Sequence, residues 1–116
     1  MTREGNDPAV AGGDAERDSD SNADAILTGL FAVIEDRKET TPEDSYTASL
    51  LEHDKGEDAV LEKLGEETTE LILAAKDGDE DEIAHESADV VYHLLVLLAA
   101  TDVDLEALLA ELRDRR

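Results

Sequence analysis

The chain has 116 residues, of which 32 are acidic and ten are basic, so its formal net charge is −22. This balance argues against nucleic-acid backbones and anionic membranes as partners. The absence of cysteine excludes disulfides and thiolate metal sites. The length fits one small domain, and the sequence shows neither a signal segment nor an apolar run long enough to cross a bilayer, so we expect a soluble, cytoplasmic protein.

The first predicted segment is a disordered acidic tail over residues 1–22, because that stretch has too little apolar content to offset its ordering entropy. The folded domain is expected over residues 23–116. A helix should begin at Ala23 or Asp24 and end near Lys38. Its apolar residues recur at helical spacing: Ile26, Leu27, Leu30, Phe31 and Ile34.

A helical hairpin is predicted in the second half of the chain. Residues 45–51 form a short helix or a structured turn, and Gly56 interrupts the chain before a long helix over residues 58–76. Residues 77–79 read Asp-Gly-Asp, which is typical of a tight reversal. The next helix, over residues 80–100, should therefore run antiparallel to its predecessor.

The helix over residues 80–100 is apolar on nearly every side from Val90 to Leu98, so protein must surround it. A final amphipathic helix is expected over residues 105–116. A folded part of about ninety residues is marginal for burying such a helix in a monomer. We therefore predict an all-α fold in which two helical hairpins form a four-helix-type core as a homodimer.

A carboxylate occupies an apolar face of the helix over residues 58–76. On a helical wheel that advances about 100° per residue, Glu67 falls on one stripe with apolar neighbours. Burial of an isolated carboxylate costs several kcal/mol or more, so such a group normally pairs, takes up a proton or binds a metal. The neighbours on the stripe are Val60, Leu64, Leu71 and Ala74.

Together the acids spell EExxE and ExxD, with Glu66, Glu67 and Glu70 on one helix and Glu86 and Asp89 on the next. An all-oxygen site suits Mg²⁺ or Mn²⁺, and magnesium commonly bridges carboxylates to substrate phosphates. The alternative is that the acids form a solvated face. We accept that alternative for Glu62, Glu80 and Asp81, but it does not explain acids that lie on the apolar stripe.

The high acid content also bears on the substrate, since a polyanionic protein that binds a polyphosphate must interpose cations. Lys63 precedes Glu67 by one turn, and spacing alone leaves open whether it pairs with Glu66 or Glu67 or contacts phosphate. This density of acids would destabilise the fold by repulsion at low salt. Near 1 M salt the Debye length is only about 3 Å and the repulsion is screened, so the composition is typical of adaptation to a salty cytoplasm. Few basic side chains lie between Ala25 and Leu112: Arg37, Lys38, Lys55, Lys63 and Lys76.

Several stretches resemble the phosphoribosyl-ATP pyrophosphatase family. The EExxE and ExxD pair alone indicates only the wider all-α NTP pyrophosphatase superfamily, which includes MazG-like enzymes and dimeric dUTPases. The SYTASLL and YHLLVLL stretches narrow the resemblance to the one family. The matching segments are LFAVIEDRK from Leu30, SYTASLL from Ser45, KG at Lys55, KLGEE from Lys63, and ESADVVYHLLVLL from Glu86.

The resemblance implies a MazG-like all-α dimer that hydrolyses phosphoribosyl-ATP to phosphoribosyl-AMP and pyrophosphate in histidine biosynthesis. By the family pattern, Mg²⁺ would be held by Glu67, Glu70, Glu86 and Asp89. Glu66 is a further ligand or the group that orients or deprotonates the attacking water. Residues that would line the pocket or face phosphates are Ser45, Tyr46, Thr47, Arg37, Lys38, Lys55 and Lys63.

Three points stay open on the sequence. Relatives often carry basic residues where this chain has Asp58 and Ala59, so a phosphate contact from that turn is in doubt. His93 follows Asp89 by one turn, and we favour a hydrogen bond or packing near the site over metal ligation. The competing functions are a MazG-like enzyme that removes noncanonical nucleotides and an acidic helical dimer that serves as an interaction module.

Overall fold

The computed structural model describes residues 12–51 and 56–116. These residues contain helices and no strand, which confirms the all-α class. Five helices follow one another along the chain: α1 Gly12–Thr40, α2 Tyr46–Leu51, α3 Glu57–Asp77, α4 Glu80–Ala100 and α5 Leu105–Asp114.

Helix α1 begins at Gly12, whereas the sequence led us to expect its start at Ala23 or Asp24. Residues 12–22, which we assigned to the disordered tail, are therefore helical. Helix propagation adds one hydrogen bond for each residue fixed, and residues 12–22 contain no proline to stop it. Residues 1–11, the rest of the predicted tail, lie outside the described residues.

The chain divides into two compact units, Met1–Leu30 and Phe31–Arg116. In the described part of the first unit the backbone is the helix α1 from Gly12 onward. The second unit contains the end of α1 and all of α2 to α5. Every residue of the candidate site discussed below belongs to this second unit.

The predicted reversal between α3 and α4 is confirmed. Gly78 adopts a left-handed conformation with φ of 75°, and its N–H donates to the Ala74 carbonyl at 3.1 Å. A residue without a Cβ takes this conformation at low cost. The Asp79 side chain then accepts a hydrogen bond from the Glu82 N–H at 3.2 Å and caps α4. This short connection holds α3 and α4 in contact along their lengths.

The core of the second unit lies around the C-terminal half of α4. Lys38 joins the end of α1 to this region, because its Nζ donates to the Ala99 carbonyl at 2.8 Å and to Asp102 Oδ1 at 2.6 Å. The buried apolar side chains come from all five helices: Phe31, Ile34, Ala48, Val60, Ala74, Leu95, Val96, Ala99, Leu105 and Leu109.

Helix α4 is not surrounded on every side by the described residues of the single chain. Val91 is 41% exposed, and on α3 Ile72 is 54% exposed. We expected no apolar run long enough to cross a membrane. By length and composition alone, however, α4 is long and apolar enough to do so. The core helix of a soluble protein passes the same test, and α4 carries five acids in its first ten residues.

Candidate metal centre

Glu67 lies on the buried stripe of α3, as predicted. It is only 6% exposed, between the buried residues Val60 and Ala74. Its Oε2 lies 3.3 Å from the Lys63 ammonium, whereas its Oε1 is buried and has no hydrogen-bond partner among the described residues. A buried carboxylate oxygen without a partner is costly, so Oε1 is the kind of atom that a bound cation would satisfy.

Glu86 on α4 contributes a second buried oxygen without a described partner, its Oε1. Oxygens of Glu67, Glu70 and Glu86 all lie within 4.8 Å of one another. Burial, followed by repulsion from Glu70, raises the pKa of the Glu86 carboxyl. Three ionised carboxylates this close repel one another, and a bound cation or proton relieves the repulsion.

Asp89 joins this arrangement through Glu86. Ligand atoms of His85, Glu86 and Asp89 also lie within 4.8 Å of one another, and His85 Nε2 is 3.5 Å from Asp89 Oδ2. The structure thus groups Glu67, Glu70, Glu86 and Asp89, hereafter the carboxylate cluster, around Glu86. Their oxygen donors fit a hard cation. His85 was not predicted from the sequence, although its i,i+4 spacing from Asp89 on α4 was a usable signal.

Lys63 and Glu66 lie at one edge of the carboxylate cluster. The Lys63 ammonium is 3.4 Å from Glu66 Oε1 as well as 3.3 Å from Glu67 Oε2, and the hydrogen bond to Glu67 raises its pKa. Of the two roles left open for Lys63, the structure therefore shows the pairing with acids. The Glu66 side chain is 64% exposed, so its carboxylate can reach solvent beside the buried Glu67.

Helix α2 brings the predicted pocket residues against α4. The Ser45 Oγ accepts a hydrogen bond from the Ala48 N–H at 3.1 Å and so begins the helix. The Tyr46 hydroxyl lies 3.0 Å from His93 Nε2, and the Thr47 hydroxyl is hydrogen-bonded to the Tyr92 hydroxyl. Both tyrosines of the chain therefore meet in one aromatic group with His93.

His93 is 4% exposed, and both of its ring nitrogens have protein partners. Its Nδ1 lies 2.8 Å from the Asp89 carbonyl oxygen, opposite the contact of Nε2 with Tyr46. The predicted hydrogen bonding of His93 near the site is present. Burial raises the pKa of the Tyr46 hydroxyl even though the nearby Lys63 charge opposes the shift, so this hydroxyl keeps its proton at neutral pH.

Two predicted phosphate-binding residues have partners outside the carboxylate cluster. Arg37 pairs with Asp36 at 2.7 Å. Lys38 binds Ala99 and Asp102, and its hydrogen bond to Asp102 raises its pKa. Ala99 lies thirteen residues after Glu86 on α4, which is about 20 Å along the helix axis. Lys55 falls in residues 52–55, outside the described residues.

A cavity of about 420 Å³ adjoins the carboxylate cluster at the end near the reversal. It shares Glu70 and Glu86 with the cluster. Among the described residues no basic side chain lines it, so on charge grounds a polyphosphate would enter from the side of Lys63 and Tyr46. The remaining lining residues are Leu73, Ala74, Asp77, Asp79 and Glu82.

Residues 27–116 match the family described as Phosphoribosyl-ATP pyrophosphohydrolase. This range includes the whole carboxylate cluster and all of α2 to α5. The chain belongs to that family. The resemblance drawn from the motifs is thus confirmed over the whole of the second unit.

Proteins named Phosphoribosyl-ATP pyrophosphatase are among the similar sequences of this family. The protein from Haloarcula marismortui is 68% identical over 98 residues, covering 84% of this chain and 99% of the relative. That from Halobacterium salinarum is 74% identical over 91 residues, covering 78% and 96%. A relative from Methanococcoides burtonii is 51% identical over 92 residues, covering 79% and 93%. Halophilic relatives support the interpretation of the acidic surface as salt adaptation.

Proposed function

We propose that this protein hydrolyses phosphoribosyl-ATP to phosphoribosyl-AMP and pyrophosphate, the second step of histidine biosynthesis, in the cytoplasm. The observation that carries the proposal is the pair of buried oxygens without described partners, Glu67 Oε1 and Glu86 Oε1, at the centre of a carboxylate cluster. Family membership supplies the substrate. The net charge of −22 supports neither nucleic acid nor a membrane as a partner.

Glu67, Glu70, Glu86 and Asp89 would hold Mg²⁺, with Mn²⁺ as the alternative ion. When bound, such an ion would lower the pKa of a coordinated water and neutralise charge on the pyrophosphate leaving group. The fit rests on an all-oxygen donor set on two antiparallel helices, with oxygens of Glu67, Glu70 and Glu86 within 4.8 Å of one another and Asp89 within the same distance of Glu86.

The side chains at the edge of the carboxylate cluster would position the attacking water and the substrate phosphates. Glu66 is exposed next to buried Glu67, so it can orient the attacking water and accept its proton. Lys63 is the one ammonium that the described residues place at this edge, and its Nζ can turn from the acids toward phosphate oxygens when substrate enters. Tyr46 and Thr47 close the same side from α2.

A homodimer completes this proposal. Leu61 and Ile72 are both exposed and lie eleven residues apart on α3, about three turns, so they share one face. Val91 adds exposed apolar surface on α4. A second copy that covers these side chains would pair two hairpins into a MazG-like four-helix core. Analytical ultracentrifugation should show a dimer, and Ile72→Asp should weaken it more than Leu112→Asp, a matched change at an exposed leucine of α5.

The decisive test of function is pyrophosphate release by the purified protein in concentrated KCl with Mg²⁺. Phosphoribosyl-ATP should be cleaved with a kcat/KM well above that for any member of a panel of canonical and noncanonical nucleoside triphosphates. A preference for a noncanonical triphosphate would identify a MazG-like house-cleaning enzyme. Inactivity toward every nucleotide, with the acids indifferent to Mg²⁺, would favour the interaction module.

A further inference from the structure

The hydrogen bonds around His93 fix the position of its proton. The Asp89 carbonyl, 2.8 Å from Nδ1, can only accept, so Nδ1 must carry the hydrogen. The other tautomer would set a nitrogen lone pair against the carbonyl oxygen in a site that is 4% exposed. In the neutral ring Nε2 is then an acceptor.

The acceptor at Nε2 in turn fixes the direction of the Tyr46 hydroxyl. A phenol has one proton and two acceptor lone pairs. Because Tyr46 lies 3.0 Å from Nε2, it donates its only proton to His93 when the ring is neutral. Toward any other group in the site, the Tyr46 oxygen can therefore only accept a hydrogen bond.

Tyr46 is placed where this polarity affects a ligand. It is 49% exposed, and the charges of Lys63, Glu67 and Glu66 all act on its hydroxyl, which puts it at the Lys63 edge of the carboxylate cluster. The neighbouring hydrogen bond between Thr47 and Tyr92 holds α2 against α4, so Tyr46 cannot easily turn away. Deprotonated phosphate oxygens only accept, and they gain nothing from such an oxygen.

We infer that His93 is a positioning residue which makes Tyr46 a hydrogen-bond acceptor, so that Tyr46 selects a donor group on the nucleoside part of the substrate and not a phosphate. The inference rests on the proposed function for its substrate. The donor is a ribose hydroxyl or an exocyclic nitrogen. Tyr46 therefore contributes to specificity for the nucleoside, whereas Lys63 contacts phosphate.

The first test needs no activity. Long-range ¹⁵N–¹H correlation spectra of the wild-type protein report which ring nitrogen of His93 carries the proton. We expect the hydrogen on Nδ1, and a spectrum with the hydrogen on Nε2 would overturn the inference. Because this readout is made on the substrate-free protein, its outcome is independent of whether the proposed reaction occurs.

The second test compares two product-like inhibitors of pyrophosphate release in the presence of Mg²⁺. In its deprotonated magnesium complex inorganic pyrophosphate offers only acceptors, whereas AMP also offers donors. Tyr46→Phe should weaken AMP inhibition about tenfold, the value of one hydrogen bond, and leave pyrophosphate inhibition unchanged. Equal weakening of both, or a selective loss for pyrophosphate, would contradict the inference.

Variants of His93 separate positioning from folding. His93→Gln keeps an acceptor oxygen near the place of Nε2 and should retain AMP inhibition, whereas His93→Leu should behave like Tyr46→Phe. If both His93 variants lose AMP inhibition equally while their melting temperatures match the wild type, an acceptor at Nε2 is not what matters. Inhibition by 2′-deoxy-AMP, 3′-deoxy-AMP and IMP identifies the donor, because Tyr46→Phe should not weaken binding of the analogue that lacks it.

Discussion

Acids on two regions of the same hairpin behave differently. Glu62, Glu80 and Asp81 have exposed side chains. Glu67, on the same helix as Glu62, is only 6% exposed and has a carboxylate oxygen without a described partner. In a chain with 32 acids the residue type therefore carries little information. What distinguishes a site from a salt-adapted surface is where the acid lies relative to the apolar stripe.

The difference between buried and exposed acids is tested most strongly by neutralising one acid from each region. Glu67→Gln should lower kcat/KM for phosphoribosyl-ATP about a thousandfold, because Lewis-acid stabilisation of the transition state is worth several kcal/mol. Glu62→Gln, on the same helix, should be nearly silent. Circular dichroism should show unchanged helix content in both variants. Near wild-type turnover in Glu67→Gln would remove the metal-site assignment.

The surface acids should instead control the response to salt. Lowering KCl from 1 M to 0.1 M lengthens the Debye distance from about 3 Å to about 10 Å and exposes repulsion among the acids. We expect the melting temperature to fall by several degrees or more. Added Mg²⁺ should restore part of the loss, because an ion bound only by the folded site stabilises it by mass action. A melting temperature that is flat across the KCl series would contradict salt adaptation.

One surface acid has a fixed partner, since Asp102 accepts a hydrogen bond from Lys38. The pair raises the Lys38 pKa above its ordinary value of 10.5, so its stabilisation is full below that pH and is lost as pH rises through the folded pKa. Lys38→Met should cost at most about 1 kcal/mol at pH 8, with the difference from wild type shrinking in strongly alkaline melts. The substitution should leave the KM for phosphoribosyl-ATP unchanged, because Lys38 lies far from the carboxylate cluster. A raised KM would instead indicate that Lys38 contacts a substrate phosphate.

The smallest effect is expected from the N-terminal unit. Removing residues 1–22 should leave pyrophosphate release unchanged, because each described residue of the candidate site lies in Phe31–Arg116. The same assay on the full and shortened chains checks this. A large loss of activity on truncation would show that the first unit contributes to the site.

The sequence predicted the hairpin and the carboxylate cluster well, for a physical reason. Both depend on local periodicity: the stripe through Glu67, the i,i+3 pair Glu86 and Asp89, and the Asp-Gly-Asp reversal. The start of α1 was missed because polar composition says little about helix propagation. The partners of Lys38 and the contact of Tyr46 with His93 could not be predicted, since each joins residues more than forty positions apart.

The most direct test of the account is a titration of the substrate-free protein with Mn²⁺ in concentrated KCl, in which electron paramagnetic resonance counts the free ion. Wild type and Glu62→Gln should each take up tightly bound Mn²⁺, whereas Glu67→Gln should retain only the weak binding of an acidic surface. Identical binding curves for all three proteins would show that buried Glu67 holds no cation and that the carboxylate cluster is not a metal centre.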